Sequence, residues 1–215
     1  MKDASTTDAH EQKPDSAELD KLELLNQDYV LELVKKARAA SNKLATLSTA
    51  IKDQALTAMA DGLEAKVEDL IAANEKDLEA FEKVKGSKAM ADRLTLTPER
   101  IKEMADGIRQ IVKLPDPLGE APKMWTRPNG MQVGKIRVPI GVIGIIYESR
   151  PNVTADSAAL CLKSGNVCVL RGGSEAIHSN TAIAAILSEA AEQAACRPAR
   201  SPSLSGPIGK WPICS

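Results

Sequence analysis

An apolar, β-branched run from Val138 to Ile146 stops abruptly in the polar residues Tyr147-Glu148-Ser149-Arg150, breaks at Pro151-Asn152 and passes into a helical pattern. One helix later a second short strand, Val167-Cys168-Val169-Leu170, opens into Arg171-Gly172-Gly173-Ser174-Glu175. Strand, helix and strand in that order predict a parallel βαβ unit, because a parallel partner is reached only by a crossover connection. In an open α/β sheet ligands bind beyond the carboxyl ends of the strands, so both polar loops fall where a nucleotide would sit. No other part of the chain brings the order of elements and the chemistry of its loops into agreement.

The rest of the chain fits around that unit. Residues Met1 to Asn26 are polar, acidic and interrupted by Pro14, and are expected to be a disordered leader. From Gln27 to about Lys85 the pattern is helical. Val30, Leu33, Val34 and Ala37 share a face, and Ile51, Ala55, Met59, Leu63, Val67, Leu70 and Ile71 continue it. Thr97-Pro98-Glu99 starts a further helix with Thr97 as N-cap and Pro98 at N1. Its buried stripe would be Ile101, Met104, Ala105, Ile108, Ile111 and Val112. Asn129-Gly130 predicts a two-residue hairpin turn between Met124–Arg127 and Met131–Val138. Gly165 would cap the crossover helix, placed near Ala155–Lys163. A last helix from Ser174 or Glu175 carries Ile177, Ile183, Ile186 and Leu187. From Cys196 to Ser215 the chain has four prolines, no acidic residue and no periodicity, which marks an irregular tail.

Composition narrows the function. A formal net charge of −1 and 2% aromatic residues offer neither an electrostatic footprint nor a stacking surface for nucleic acid. No apolar run is long enough to span a membrane, and the N-terminus lacks an apolar signal region. Cys161, Cys168, Cys196 and Cys214 have no metal-ligand spacing, so no metal site is expected. Reduced cysteines and the missing signal together imply a cytoplasmic protein.

Each candidate site residue has a plain structural use beside a chemical one. Asn152, just past the strand, could donate its amide to a developing oxyanion, or serve as an ordinary turn or N-cap residue. Arg150 could clamp an anionic substrate or be a solvated strand-end charge. In the second loop, paired glycines would let backbone approach a ligand, Arg171 could meet phosphate, Ser174 could cap, and Glu175 could bond ribose hydroxyls. An unremarkable strand-to-helix turn would use the same residues. Gly141 and Gly144 precede or lie inside their strand, so they are not a phosphate loop and are expected to permit close packing against a helix. His178 stands alone and suits a surface.

Taken together, Arg137 to Thr154, Ala158 to Asn166 and Leu170 to Ala176 resemble the signature of the gamma-glutamyl phosphate reductase family, within the aldehyde dehydrogenase superfamily. The resemblance runs from about Tyr29 to Ala195. It implies an α/β, aldehyde-dehydrogenase-like fold: N-terminal helices and a hairpin, then an incomplete Rossmann-like parallel βαβ cofactor domain over residues 27–195. It also implies NADPH-dependent reduction of L-glutamyl 5-phosphate to L-glutamate 5-semialdehyde with release of phosphate, in proline biosynthesis, and possible homo-oligomers. Asn152 then matches the superfamily asparagine that stabilises the thiohemiacetal oxyanion. Arg171, Ser174 and Glu175 match the segment facing the adenosine of the dinucleotide, where an arginine suits a 2′-phosphate.

The same resemblance requires a nucleophilic cysteine in a separate catalytic domain. Cys161 and Cys168 match core positions instead, so the chain is expected to lack that domain and to be inactive, as a fragment retaining dinucleotide binding or association with a full-length partner. Codons compatible with Ala194 to Leu204 permit a family-like Gly-Met-Pro run in a shifted frame. A frameshift near Ala195 is therefore expected to have produced the tail over residues 196–215.

Overall fold

The computed structural model describes the backbone at residues 16–84 and 87–196, and side chains at 27–84 and 87–194. The expected leader over residues 1–15 and nearly all of the tail, from 197 onward, lie outside the described residues. Two compact units meet at Val34, inside the first helix, α1 (Ser16–Leu44). The first unit is described only as the opening part of α1. That helix starts at Ser16, well before the expected boundary at Gln27, in keeping with the good helix formers Ala17, Glu18, Leu19, Lys21 and Leu22. Tyr29, Val30 and Leu31 are exposed there.

In the second unit, α1 buries its first residue at Ala37. Helix α2 (Thr49–Ala65) is capped by Ser48, whose hydroxyl accepts the Ile51 N–H at 3.4 Å. The apolar periodicity that follows is continuous in one dimension only: at Lys66 the backbone leaves helical geometry (φ −118°, ψ 33°), and α3 (Val67–Lys83) sets off as a separate element. Helix α4 (Lys88–Leu94) is short, and α5 (Pro98–Lys113) begins as expected, with Thr97 Oγ1 accepting the Arg100 N–H at 3.2 Å. Ile101, Met104, Ala105, Ile108 and Ile111 are its buried stripe.

Strands β1 (Lys123–Thr126) and β2 (Gln132–Lys135) form an antiparallel hairpin, Trp125 opposite Val133. Its turn differs from the expected two-residue form. The Gly130 N–H donates to the Arg127 carbonyl at 2.9 Å, so the central residues are Pro128 and Asn129, and Gly130 follows with φ +83°. Proline sets φ at the first central position, and that moves the turn one residue toward the N-terminus.

Strand β3 (Val142–Ile146) pairs in parallel with β4 (Val167–Arg171), from Val142 opposite Val167 to Ile146 opposite Arg171. The crossover is α6 (Pro151–Lys163), which begins at the proline, earlier than expected, because Pro151 at N1 suits a helix start. It ends in a Schellman motif. The Gly165 N–H reaches the Leu162 carbonyl at 3.0 Å and the Asn166 N–H reaches Cys161 at 2.8 Å, with Gly165 at φ +70°. A single 3-10 turn at Ser174–Ala176 then leads into α7 (Ile177–Cys196). Leu56, Met59, Leu63, Ile108, Ala155, Ala159, Ile183 and Leu187 form one core among α2, α5, α6 and α7. Val167, Cys168 and Leu170 of β4 join it, whereas Ile146 of β3 is 78% exposed.

Two expectations about glycine separate here. Gly141, at φ +113°, lies against α1, where a Cβ would sit 3.1 Å from an Arg38 guanidinium nitrogen. Gly144 faces open space, so its lack of a side chain serves no helix contact. Ile177, at the start of the last helix, is exposed, because α7 turns inward only from Ser179 and Asn180 onward.

Candidate functional site

The parallel register is what builds the site. Ile146 and Arg171 are partners, and the Tyr147 N–H continues the ladder to the Arg171 carbonyl at 3.1 Å. The segments 147–150 and 172–175 therefore leave the sheet side by side. Ser149 Oγ donates to a Glu175 carboxylate oxygen at 3.3 Å and ties the two loops together. Arg171, Ser174 and Glu175 are exposed along that edge. Ser174 is not a side-chain cap: Gly173 occupies the N-cap of the 3-10 turn, and no side chain bonds there.

Beneath the glycines runs a polar chain that the sequence pattern does not mark. Tyr147 Oη and Thr154 Oγ1 are 2.6 Å apart, and Thr154 Oγ1 donates to Asn180 Oδ1 at 2.9 Å. Burial pushes the Tyr147 phenol above its ordinary value, against the opposing hydrogen bond to Thr154. Asn180 Nδ2 is buried and has no hydrogen-bond partner among the described residues. A Cβ at Gly172 would overlap that nitrogen and lie 3.1 Å from the tyrosine hydroxyl, and one at Gly173 would meet Glu175. Gly172 must be bare for the loop to lie this close over the buried Asn180, whereas the exposed Glu175 side chain has room to swing away from a Cβ at Gly173.

The start of α7 is fixed from another helix. Asp77 on α3, 1% exposed, accepts the His178 N–H at 3.0 Å, the Ser179 N–H at 2.7 Å and the Ser179 hydroxyl at 2.6 Å. Asn74, one turn earlier, donates to Ser179 Oγ and to the Leu94 carbonyl. A helix N-terminus favours such an anion, which completes donors that have no intrahelical partner. One sequence signal does exist: Asn74 and Asp77 interrupt the apolar positions Leu70 and Phe81 of α3. His178 itself is exposed, as expected.

Asn152 sits in the first turn of α6, exposed, on the wall of an open cleft of about 330 Å3. Arg150 shares that wall. Arg171, Ser174 and Glu175 do not line the cleft, so the two groups of expected site residues occupy adjoining but separate places. Asp156, one turn beyond Asn152, also lines it, and burial raises its carboxyl above the ordinary carboxylate range. Cys161 and Cys168 are buried thiols, the first lowered by a hydrogen bond with the second. No group of three or more potential metal ligands occurs among the described residues, and no described helix is long and apolar enough to cross a membrane.

The chain is similar to known proteins of one family. The family model for the aldehyde dehydrogenase family matches residues 2–195. The gamma-glutamyl phosphate reductase of Geobacter metallireducens is 60% identical over 158 residues, 74% of this chain and 38% of the relative. That of Syntrophomonas wolfei is 56% identical over 166 residues, 77% of this chain and 40% of the relative. Among solved structures, gamma-glutamyl phosphate reductase of Thermotoga maritima superposes with a TM-score of 0.74 at 41% identity, covering 76% of this chain and 39% of that one. The Saccharomyces cerevisiae enzyme of the same name gives 0.71 at 30% identity, covering 75% and 41%. The chain thus spans about two fifths of the length of these relatives.

Proposed function

This chain belongs to the aldehyde dehydrogenase family, and from that premise we propose that it is the cofactor-side portion of a gamma-glutamyl phosphate reductase. The reaction is NADPH-dependent reduction of L-glutamyl 5-phosphate to L-glutamate 5-semialdehyde, with phosphate released. The observation that carries the reading is the pair of parallel strand ends at Ile146 and Arg171, which opens two bare or polar loops to one side.

The residues present fit a dinucleotide. Gly172 and Gly173 leave the backbone of this loop without side chains, and among the described residues the buried Asn180 Nδ2 beneath Gly172 has no acceptor. Arg171 would face the 2′-phosphate, Glu175 the ribose hydroxyls, and Ser174 the adjoining polar edge. The cofactor, when bound, supplies the hydride. Asn152 would donate an amide N–H to the oxygen that gains charge at the substrate's reacting carbonyl, held there by the first turn of α6. Arg150 would neutralise an anionic group of the substrate.

On this reading the described residues supply dinucleotide binding. Its two described cysteines are buried in the core and offer no exposed thiolate for attack on an acyl phosphate. Association between copies or with a full-length partner would be its further property. Isothermal titration with NADPH and NADH tests the assignment. Saturable binding that favours NADPH, with the preference erased in Arg171→Gln, supports it; no binding, or a preference unchanged in that variant, defeats it. Purified chain is expected to show no NADPH oxidation with glutamyl phosphate.

A further inference from the structure

The cleft beside Asn152 contains charges that the proposed roles leave unused. Its walls come from α4, α5 and α6, so two consecutive helices meet a third that follows the hairpin and β3. About 330 Å3 is the low end of small-molecule sites and suits a metabolite.

Sorting the lining charges gives its chemistry. Arg100 is occupied: it bonds the Asp92 carboxylate at 2.9 Å, the Thr95 carbonyl at 2.8 Å and the Asp92 carbonyl, holding the end of α4 onto the start of α5. That leaves two cations, Arg93 and Arg150, and two carboxylates, Glu103 and Asp156. Their side chains make no hydrogen bond or ion pair among the described residues. Asp156 is the most telling of these. It is half-buried, it pays a desolvation cost, and no cation among the described residues relieves it. A half-buried carboxylate facing a cleft that also carries free guanidinium groups fits a ligand with both signs of charge.

We infer that this cleft holds the α-amino and α-carboxylate groups of an amino-acid substrate, with Asp156 receiving the ammonium and Arg93 and Arg150 the carboxylate. The inference rests on the function proposed above and adds the substrate-binding residues to it. Asn152 and Asp156 are four residues apart on one face of α6, about 6 Å along the axis. A five-carbon amino acid gripped at its α-carbon by Asp156 therefore presents its far carbonyl near Asn152. Glu103, exposed at the rim, disfavours ligands carrying only negative charge.

The test is titration of the chain with L-glutamate, glutarate (no amino group), 4-aminobutyrate (no α-carboxylate) and inorganic phosphate, followed by chemical-shift perturbation. L-glutamate should bind best, and each of the other three should be weaker by roughly tenfold or more, the size of one lost charge-assisted hydrogen bond. Asp156→Asn should weaken L-glutamate to the level of glutarate without weakening glutarate, and Arg93→Gln should bring it to the level of 4-aminobutyrate. Shifts should map to α4 and the first two turns of α6. Equal binding of glutarate and L-glutamate, phosphate binding as well as L-glutamate, or an Asp156→Asn variant indistinguishable from the parent would each overturn the inference. NADPH titration on the same samples separates the two proposals, because loss of dinucleotide binding with retained L-glutamate selectivity defeats only the cofactor assignment.

Discussion

Replacing Asp77 by alanine should destabilise the fold by about 3 kcal/mol, because it removes a cap held in place by another helix. The carboxylate accepts three hydrogen bonds, at 3.0, 2.7 and 2.6 Å, two of them from backbone N–H groups in the first turn of α7. A lost N-cap side chain costs about 1–2 kcal/mol, and hydrogen bonds to a charged group contribute about 1.5–3 kcal/mol each but do not add. Alanine also leaves the Ser179 N–H buried without an acceptor, which puts the total nearer the upper end of one such term than the sum of three. Ser179→Ala removes a single contact and should cost about 1 kcal/mol. In urea, with a slope of about 1–3 kcal/mol per molar, the Asp77 variant should lose roughly 1–3 M in midpoint at unchanged slope. The double variant should fall short of the summed losses by about 1 kcal/mol, the coupling expected of residues in direct contact. A loss below about 1 kcal/mol, or strict additivity, would show that water already satisfies the start of α7 and that Asp77 does not hold it.

Further outcomes follow from single sites. Asp156→Asn should raise the denaturation midpoint at neutral pH. The folded carboxyl is raised by burial, so its penalty is full above that raised value and disappears as pH falls through the carboxylate range. The gain of the variant should shrink in acid; a variant no more stable than the parent at pH 7 contradicts the reasoning. Asp116 carries the opposite sign. Burial raises its carboxyl, but hydrogen bonds from Lys52, the Leu118 N–H and Thr49 prevail and leave it lowered. Its contribution is present above the ordinary carboxylate value and is lost as pH falls through the lower folded one, so Asp116→Asn should flatten the acid limb of the stability profile. Gly172→Ala should weaken dinucleotide binding and cost about 1–3 kcal/mol in stability, since its Cβ overlaps Asn180; an unaltered melt would show that the loop has room to move.

Local chemistry made much of this protein legible in one dimension. Thr97-Pro98 starts α5 and Gly165 ends α6 because caps depend on a few adjacent backbone groups. The βαβ order was readable because alternating strand and helix patterns leave one chain path, and that path sets Asn152 and Arg171 at neighbouring strand ends. Where a nearby residue competed, the reading moved: Pro128 shifted the hairpin turn, and the bend at Lys66 was invisible to a periodicity that carries across it.

What only the tertiary structure decided is which polar residues face one another. Asp77 is an ordinary helix acid until α7 arrives more than a hundred positions later in the chain, within 2.7 Å. Asn180 comes to lie beneath Gly172 only when the start of α7 folds back under the loop that follows β4. Asp156 reads as a solvated helix charge until α4 and α5 close a cleft around it. By itself the sequence determined the family, the order of elements and the strand ends where chemistry collects, because each of these is written in contiguous residues. The separation of the Arg171–Glu175 edge from the charged cleft, and the burial that gives Asp77 and Asp156 their weight, come from contacts between distant segments, which no local pattern encodes.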